Sequence, residues 1–114
     1  MEDVRLSAHL EVAGLLRQVQ AAGGFGAVLH KGEREAGTIL LICAEKGTDR
    51  RVFERMPSPG GPRSWRLALS EHLENSDEFE RYLDRRMSQD PDLWIVELDI
   101  VNAERFIGLT PHKG

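Results

Sequence analysis

The sequence predicts an α+β domain: a four- to five-stranded, mainly antiparallel sheet with two helices packed on one face. Three observations carry that expectation. The hydrophobic period switches from helical spacing to alternation just after Gly23-Gly24. Four β-rich runs then follow one another through short connections, whereas parallel neighbours need crossovers of about a dozen residues or more. A second helical segment and one more strong alternating run come last.

In the first segment Ala8, Val12, Leu15, Leu16, Val19 and Ala22 recur at three-and-four spacing, which predicts a helix from about Ser7 to Ala22. Ser7 is placed to accept from the first free amides, and Gly23-Gly24 supplies a positive-φ stop. Gly14, inside this helix, costs about 1 kcal/mol relative to alanine and points either to an exposed face or to close approach of another backbone. Two β-rich runs follow, Gly26 to His30 and Ala36 to Glu45, with Lys31-Gly32-Glu33-Arg34-Glu35 between them in the manner of a hairpin connection. The second run is apolar at every position from Ile39 to Cys43, which places it mid-sheet and covered on both faces.

Lys46 to Asp49 turns the chain into Arg51 to Met56, completing an expected three-stranded meander. Residues 57–62, Pro-Ser-Pro-Gly-Gly-Pro, lack three amide donors and read as a surface loop. From Ser64 to Leu69, Trp65, Leu67 and Leu69 alternate with Arg66 and Ala68 as in a half-buried strand. The second helix is expected to start at Asn75 or Ser76, with Asn75 and Glu78 in capping-box positions and Phe79, Tyr82, Leu83 and Met87 as its apolar face. Asp90-Pro91 stops it. Leu93 to Ile100 is the last strong strand, with Trp94, Val96, Leu98 and Ile100 on one side and Leu93, Ile95, Glu97 and Asp99 on the other. Ala103 to Leu109 reads as a short cap and residues 110–114 as a loose tail.

Composition bounds the function. The 114 residues suit a single domain spanning residues 1–114, and a net charge of -4 argues against an obligate nucleic-acid binder. Cys43 is alone, so no intrachain disulfide or CxxC zinc clip can form, and a cytoplasmic setting is expected. The longest aliphatic run, Ile39 to Ala44, is far shorter than the roughly 20 residues a spanning helix needs. The first residues, Met1-Glu2-Asp3, are acidic where a secretory signal is basic.

One set of segments is distinctive together: Leu15-Leu16-Arg17, Ala21-Ala22-Gly23-Gly24-Phe25, Ala27-Val28-Leu29, Gly32, Ala36-Gly37 and Asp90-Pro91-Asp92-Leu93-Trp94-Ile95-Val96-Glu97. In these the chain resembles the small alphaproteobacterial proteins grouped as domain of unknown function 1491, over residues 6 to 100. The resemblance implies a cytoplasmic bacterial protein of this size and brings no activity, cofactor or catalytic residue with it.

The residues themselves offer four candidate chemistries. Gly23-Gly24-Phe25-Gly26 follows a helix, whereas phosphate loops precede one, so these glycines read as a helix stop. Asp90, Asp92, Glu97 and Asp99 are candidate ligands for Mg²⁺ in a metal-assisted hydrolase, provided their oxygens converge. Arg55, Arg63, Trp65 and Arg66 form a candidate anion, nucleotide or single-strand surface if the third and fourth strands pair. Cys43 and His30 can form a dyad only if their strands are neighbours, and the four histidines show no metal-ligand spacing. Trp94, Phe106, Ile107 and Leu109 are candidate interface residues, because two helices supply few large groups to cover a five-stranded sheet. The leading expectation is a non-enzymatic cytoplasmic protein acting through protein-protein contact or homodimerisation. No cofactor is expected, and membrane and nucleic acid are not its expected partners.

Overall fold

The computed structural model describes residues 7–56, 64–71 and 76–108. Its elements run α1 (Ala8–Ala21), β1 (Phe25–His30), β2 (Ile39–Glu45), β3 (Thr48–Met56), β4 (Ser64–Ser70), α2 (Ser76–Gln89), β5 (Trp94–Asp99) and a 3-10 helix (Ala103–Ile107). The five strands form one sheet in the order β1-β5-β2-β3-β4. All neighbours are antiparallel except β2 and β5. The α+β class and the mostly antiparallel sheet therefore stand as expected. The loop 57–62, Arg63, His72, the Asn75 cap, Leu109 and the tail 110–114 lie outside the described residues.

Two topological expectations are corrected. First, β1 and β2 are not a hairpin. β5 lies between them, antiparallel to β1 with Ala27 opposite Glu97, and parallel to β2 with Leu41 opposite Val96. The segment 31–38 is consequently a connection that wraps the start of β5. Glu33 N–H donates to the Asp92 carbonyl at 2.9 Å, Trp94 N–H to Thr38 O at 2.8 Å, and the Trp94 indole Nε1 to Glu33 O at 2.7 Å. Gly32 and Gly37 pack so tightly here that a Cβ on either would lie 2.2 and 2.6 Å from the Asp92 carbonyl oxygen, respectively.

Second, the helices take opposite faces of the sheet. Val12, Leu15 and Val19 of α1 pack with Ile39, Leu41 and Cys43 of β2 and with Trp94, Val96 and Leu98 of β5. Phe79 and Leu83 of α2 pack with Leu40 and Ile42 of β2, Val52 of β3 and Ile95 of β5. Side chains alternate across a strand, so an uninterrupted apolar strand requires cover on both sides. β2 is buried from Ile39 to Ala44; one helix on each face supplies that cover.

The helix ends differ in how closely they match the sequence reading. Gly23 takes φ +90° and Gly24 N–H reaches Val19 O at 2.9 Å, a glycine stop as expected. Ser7 makes no side-chain cap. The first amides of α1 instead donate to the connection 31–38, Ala8 N–H to Glu35 O at 2.9 Å and His9 N–H to Arg34 O at 3.0 Å. Among the described residues, no helix is long and apolar enough to cross a membrane.

Candidate functional site

The antiparallel register of β3 and β4 sets Arg55 opposite Trp65, on the face that α1 covers. Directly opposed residues share a face, so the two side chains meet. The Arg55 guanidinium lies 4.3 Å from the Trp65 ring centroid. It also makes a two-pronged ion pair with Glu11 of α1, with Nη1 donating to Oε1 at 3.0 Å and Nη2 to Oε2. Arg55 Nε is buried without an acceptor among the described residues. Together with Gly14, Leu15 and Gln18 of α1 and Phe106 and Ile107 of the 3-10 helix, these residues line an open depression of about 260 Å³. A Cβ on Gly14 would meet nothing within 4 Å, so close backbone approach is not what this glycine serves.

The 3-10 helix is held in place by a buried ion pair. Arg51 of β3 donates from Nε to Glu104 Oε2 at 2.5 Å and from Nη2 to Oε1 at 3.3 Å. Behind that pair, burial pushes the Cys43 thiol up to about 12, with the Glu104 carboxylate adding to the effect. A thiol so placed stays protonated and unreactive. His30 lies two strands away across β5, and its Nδ1 donates to Leu93 O at 2.6 Å, so the conditional Cys43–His30 dyad does not form.

The structure divides the arginine–tryptophan set. Arg66 follows Trp65 on β4 and so points to the α2 face, where it pairs with Glu54, which also accepts from Arg86 Nη1 at 3.3 Å. These hydrogen bonds, that from Arg66 foremost, hold the Glu54 carboxyl below its ordinary range. Arg63 lies outside the described residues.

The four acids are likewise spread along β5. Asp90 Oδ1 accepts from Asp92 N–H at 3.2 Å in the turn before the strand. Asp99, at the far end, accepts from Lys46 N–H at 2.6 Å and Gly47 N–H at 2.8 Å and so fastens the β2–β3 turn. With about 3.3 Å of rise per residue, the two ends stand on the order of 20 Å apart. Among the described residues no three His, Cys, Asp or Glu side chains are grouped to hold a metal ion. Glu97 is half-buried on the α2 face, where burial, and next the charge of Asp99, raise its carboxyl above the usual range.

Of the interface candidates, Trp94 is 4% exposed and belongs to the core. Phe106 and Ile107 pack on the α1 cluster and line the depression. Exposed apolar groups lie elsewhere: Phe25 at 67%, Leu29 at 50% and Val28 at 40% on the edge strand β1, with Leu67 on the other edge strand β4, Leu10 on α1 and Val101 after β5 standing singly. Sequence reasoning passed over β1 because its partners were unknown. It also assigned no site role to Glu11 and Gln18, although Glu11, Leu15 and Gln18 fall at helical spacing on one stripe, a signal that was available.

Comparison with known proteins agrees with this architecture. The family described as protein of unknown function (DUF1491) matches residues 6–108. A crystal structure of a DUF1491 family protein from Caulobacter crescentus CB15 is similar, with a TM-score of 0.78 and 28% identity over 91% of this chain and 96% of that one. The solution structure of a protein from A. tumefaciens has a TM-score of 0.73 and 28% identity, over 96% of this chain and 98% of that one. An NMR structure of a Caulobacter crescentus CB15 DUF1491 family protein gives 0.77 and 26% identity, over 97% of this chain and 100% of that one. No match is found among curated proteins. With all but a few terminal residues matched, the chain belongs to the DUF1491 family.

Proposed function

We propose that the protein is a non-enzymatic cytoplasmic module that pairs with a second copy of itself through β1. The observation that supports this reading is the bare edge of the sheet. β1 reads Phe-Gly-Ala-Val-Leu-His and contains no Lys, Arg, Asp, Glu or Pro, the residues that ordinarily keep an edge strand from pairing. Its large side chains Phe25 and Leu29 are half-exposed or more. A second copy is the occupant that matches an uncharged edge with another uncharged edge. Antiparallel pairing about a twofold axis at Ala27 sets Gly26 of each copy opposite Val28 of the other, in the regular stretch of β1 before the irregularity at Leu29. The lone buried cysteine supports a reducing, cytoplasmic setting. Local structural duties of Asp90, Asp99 and Glu54 support binding over catalysis.

Anion or nucleic-acid binding on Arg55, Arg63, Trp65 and Arg66 has less support. Arg55 spends both Nη groups on Glu11, and Arg66 faces the opposite side of the sheet. Sedimentation velocity at micromolar concentration tests the dimer. The expected result is a dimer that Phe25→Lys with Leu29→Lys converts to a folded monomer whose melting temperature no longer depends on protein concentration. A wild-type protein that stays monomeric, or a dimer indifferent to both lysines, would overturn the reading.

A further inference from the structure

On its α2 side the sheet is covered only in part. α2 packs on Leu40 and Ile42 of β2, Val52 of β3 and Ile95 of β5, and no β1 residue belongs to that cluster. Past α2, the later part of β5 and the neighbouring β1 form an open shelf. Register fixes what it displays: Phe25 lies opposite Asp99 and Ala27 opposite Glu97, on the face where Ile95 meets α2. We infer that this shelf docks a lysine- or arginine-bearing segment of a partner protein, with its cation at Glu97 and Asp99 and its apolar side chains on Phe25 and Ala27.

Charge names the occupant. Among the described residues no group gives the half-buried Glu97 a hydrogen bond or an ion pair. Its charged neighbours include Asp99, Glu71 and Glu80. The cation near it, Arg50, is already spent on Glu71 at 2.7 Å and Glu80 at 2.8 Å, and its guanidinium lies 4.3 Å from the Phe79 ring centroid. The carboxylates outnumber the guanidinium, so this field attracts cations and repels the phosphates of nucleic acids and of anionic lipid surfaces. The raised Glu97 carboxyl is the same imbalance felt within the chain, and a cation laid beside it would relieve it.

Apolar surface favours a protein segment over a free polyamine or metal ion. Phe25 is 67% exposed and stands directly across from Asp99, so ring and acids form one surface. A small hydrophilic cation would leave the ring in water. A segment that sets aliphatic side chains beside a Lys or Arg covers it, and the cation can also lie on the ring face. With strands about 5 Å apart, a shelf two strands wide holds one helix or one extended segment, not a domain. Edge hydrogen bonds of a β1 dimer lie in the plane of the sheet, so the shelf stays open in each copy.

Fluorescence anisotropy with a labelled peptide of leucines and lysines at helical spacing tests the inference. The comparators are the same peptide with every lysine changed to glutamate, the same peptide with every leucine changed to serine, and spermidine. The expected result is saturable binding of the leucine–lysine peptide, weakened about fivefold or more by Glu97→Gln and further by Glu97→Lys, with the oligomeric state in sedimentation unchanged. Glu97→Gln is the decisive variant, because removing a half-buried charge is expected to leave the fold at least as stable. Glu35→Lys makes the same change in net charge as Glu97→Lys on the exposed connection 31–38, and is expected to weaken binding by less than about twofold. Three results would each refute the inference: no saturable binding up to about millimolar protein, equal weakening by Glu35→Lys and Glu97→Lys, or binding of the glutamate peptide, the serine peptide or spermidine as tight as that of the leucine–lysine peptide.

Discussion

Gly32 and Gly37 leave no room for a methyl group beside the Asp92 carbonyl, and backbone cannot swing aside as a flexible side chain can. Gly37→Ala is therefore expected to destabilise the fold by about 1–3 kcal/mol, the usual penalty for overpacking, seen as a lower urea midpoint at unchanged slope. Two carboxylates carry opposite pH signatures. Burial raises the Glu97 carboxyl, so its ionisation opposes folding; its contribution is most favourable below the ordinary carboxylate range and is lost as pH rises through the folded value. Hydrogen bonds from Arg50 lower the Glu71 carboxyl, so its contribution is present above the ordinary range and is lost as pH falls through the folded value. Near neutral pH, Glu97→Gln is expected to raise the urea midpoint and Glu71→Gln to lower it, with both differences shrinking in acid. Equal pH slopes for the two variants would contradict the assignment. Neither shift was legible in the sequence, because the partners of Glu71 and the cover over Glu97 come from other elements.

At the scale of elements, periodicity located both helices and nearly every strand. Thr48–Met56 begins three residues earlier than the β-rich run did, because Lys46 and Asp49 take positive φ in a tight turn that Asp99 fastens from β5. The apolar run of β2 already implied cover on both faces, a demand that two helices on one face cannot meet. With α1 and α2 on opposite sides, the sheet separates their cores. Val12→Ala and Leu83→Ala, both at buried positions, are each expected to be destabilising, Leu83→Ala by about 2–5 kcal/mol. In a double-mutant cycle they are expected to add to within about 0.5 kcal/mol, as sites without shared contacts do. A larger coupling energy from urea melts would argue for a shared core.

For the whole molecule, β5 decides closure. It lies between β1 and β2, so the sheet contains a long-range parallel pairing that no local turn can form. A fragment ending at Gln89 lacks that strand and leaves Leu41 and Val28 without their partners Val96. Such a fragment is expected to show neither cooperative thermal unfolding nor dispersed amide resonances. Part of the chain that gives the resemblance to DUF1491 meets at this closure: Gly32 and Gly37 pack on Asp92 and Trp94, where Glu33 and Thr38 of the connection 31–38 bond the start of β5. The likeness thus marks how the fold is locked.

Sequence alone determined what depends on local order: the helical and alternating periods, the glycine stop at Gly23, the Asp90-Pro91 break, the turn at Lys46 to Asp49, and the side of β5 on which each residue falls. Tertiary structure alone decided which strands are neighbours, which face each helix covers, that Arg55 and Trp65 meet while Arg66 turns away, and that Glu11 joins them. The physical reason is range. A dihedral preference or a hydrophobic period is written in adjacent residues, whereas a pocket or an open edge exists only once segments distant in the chain have been brought together.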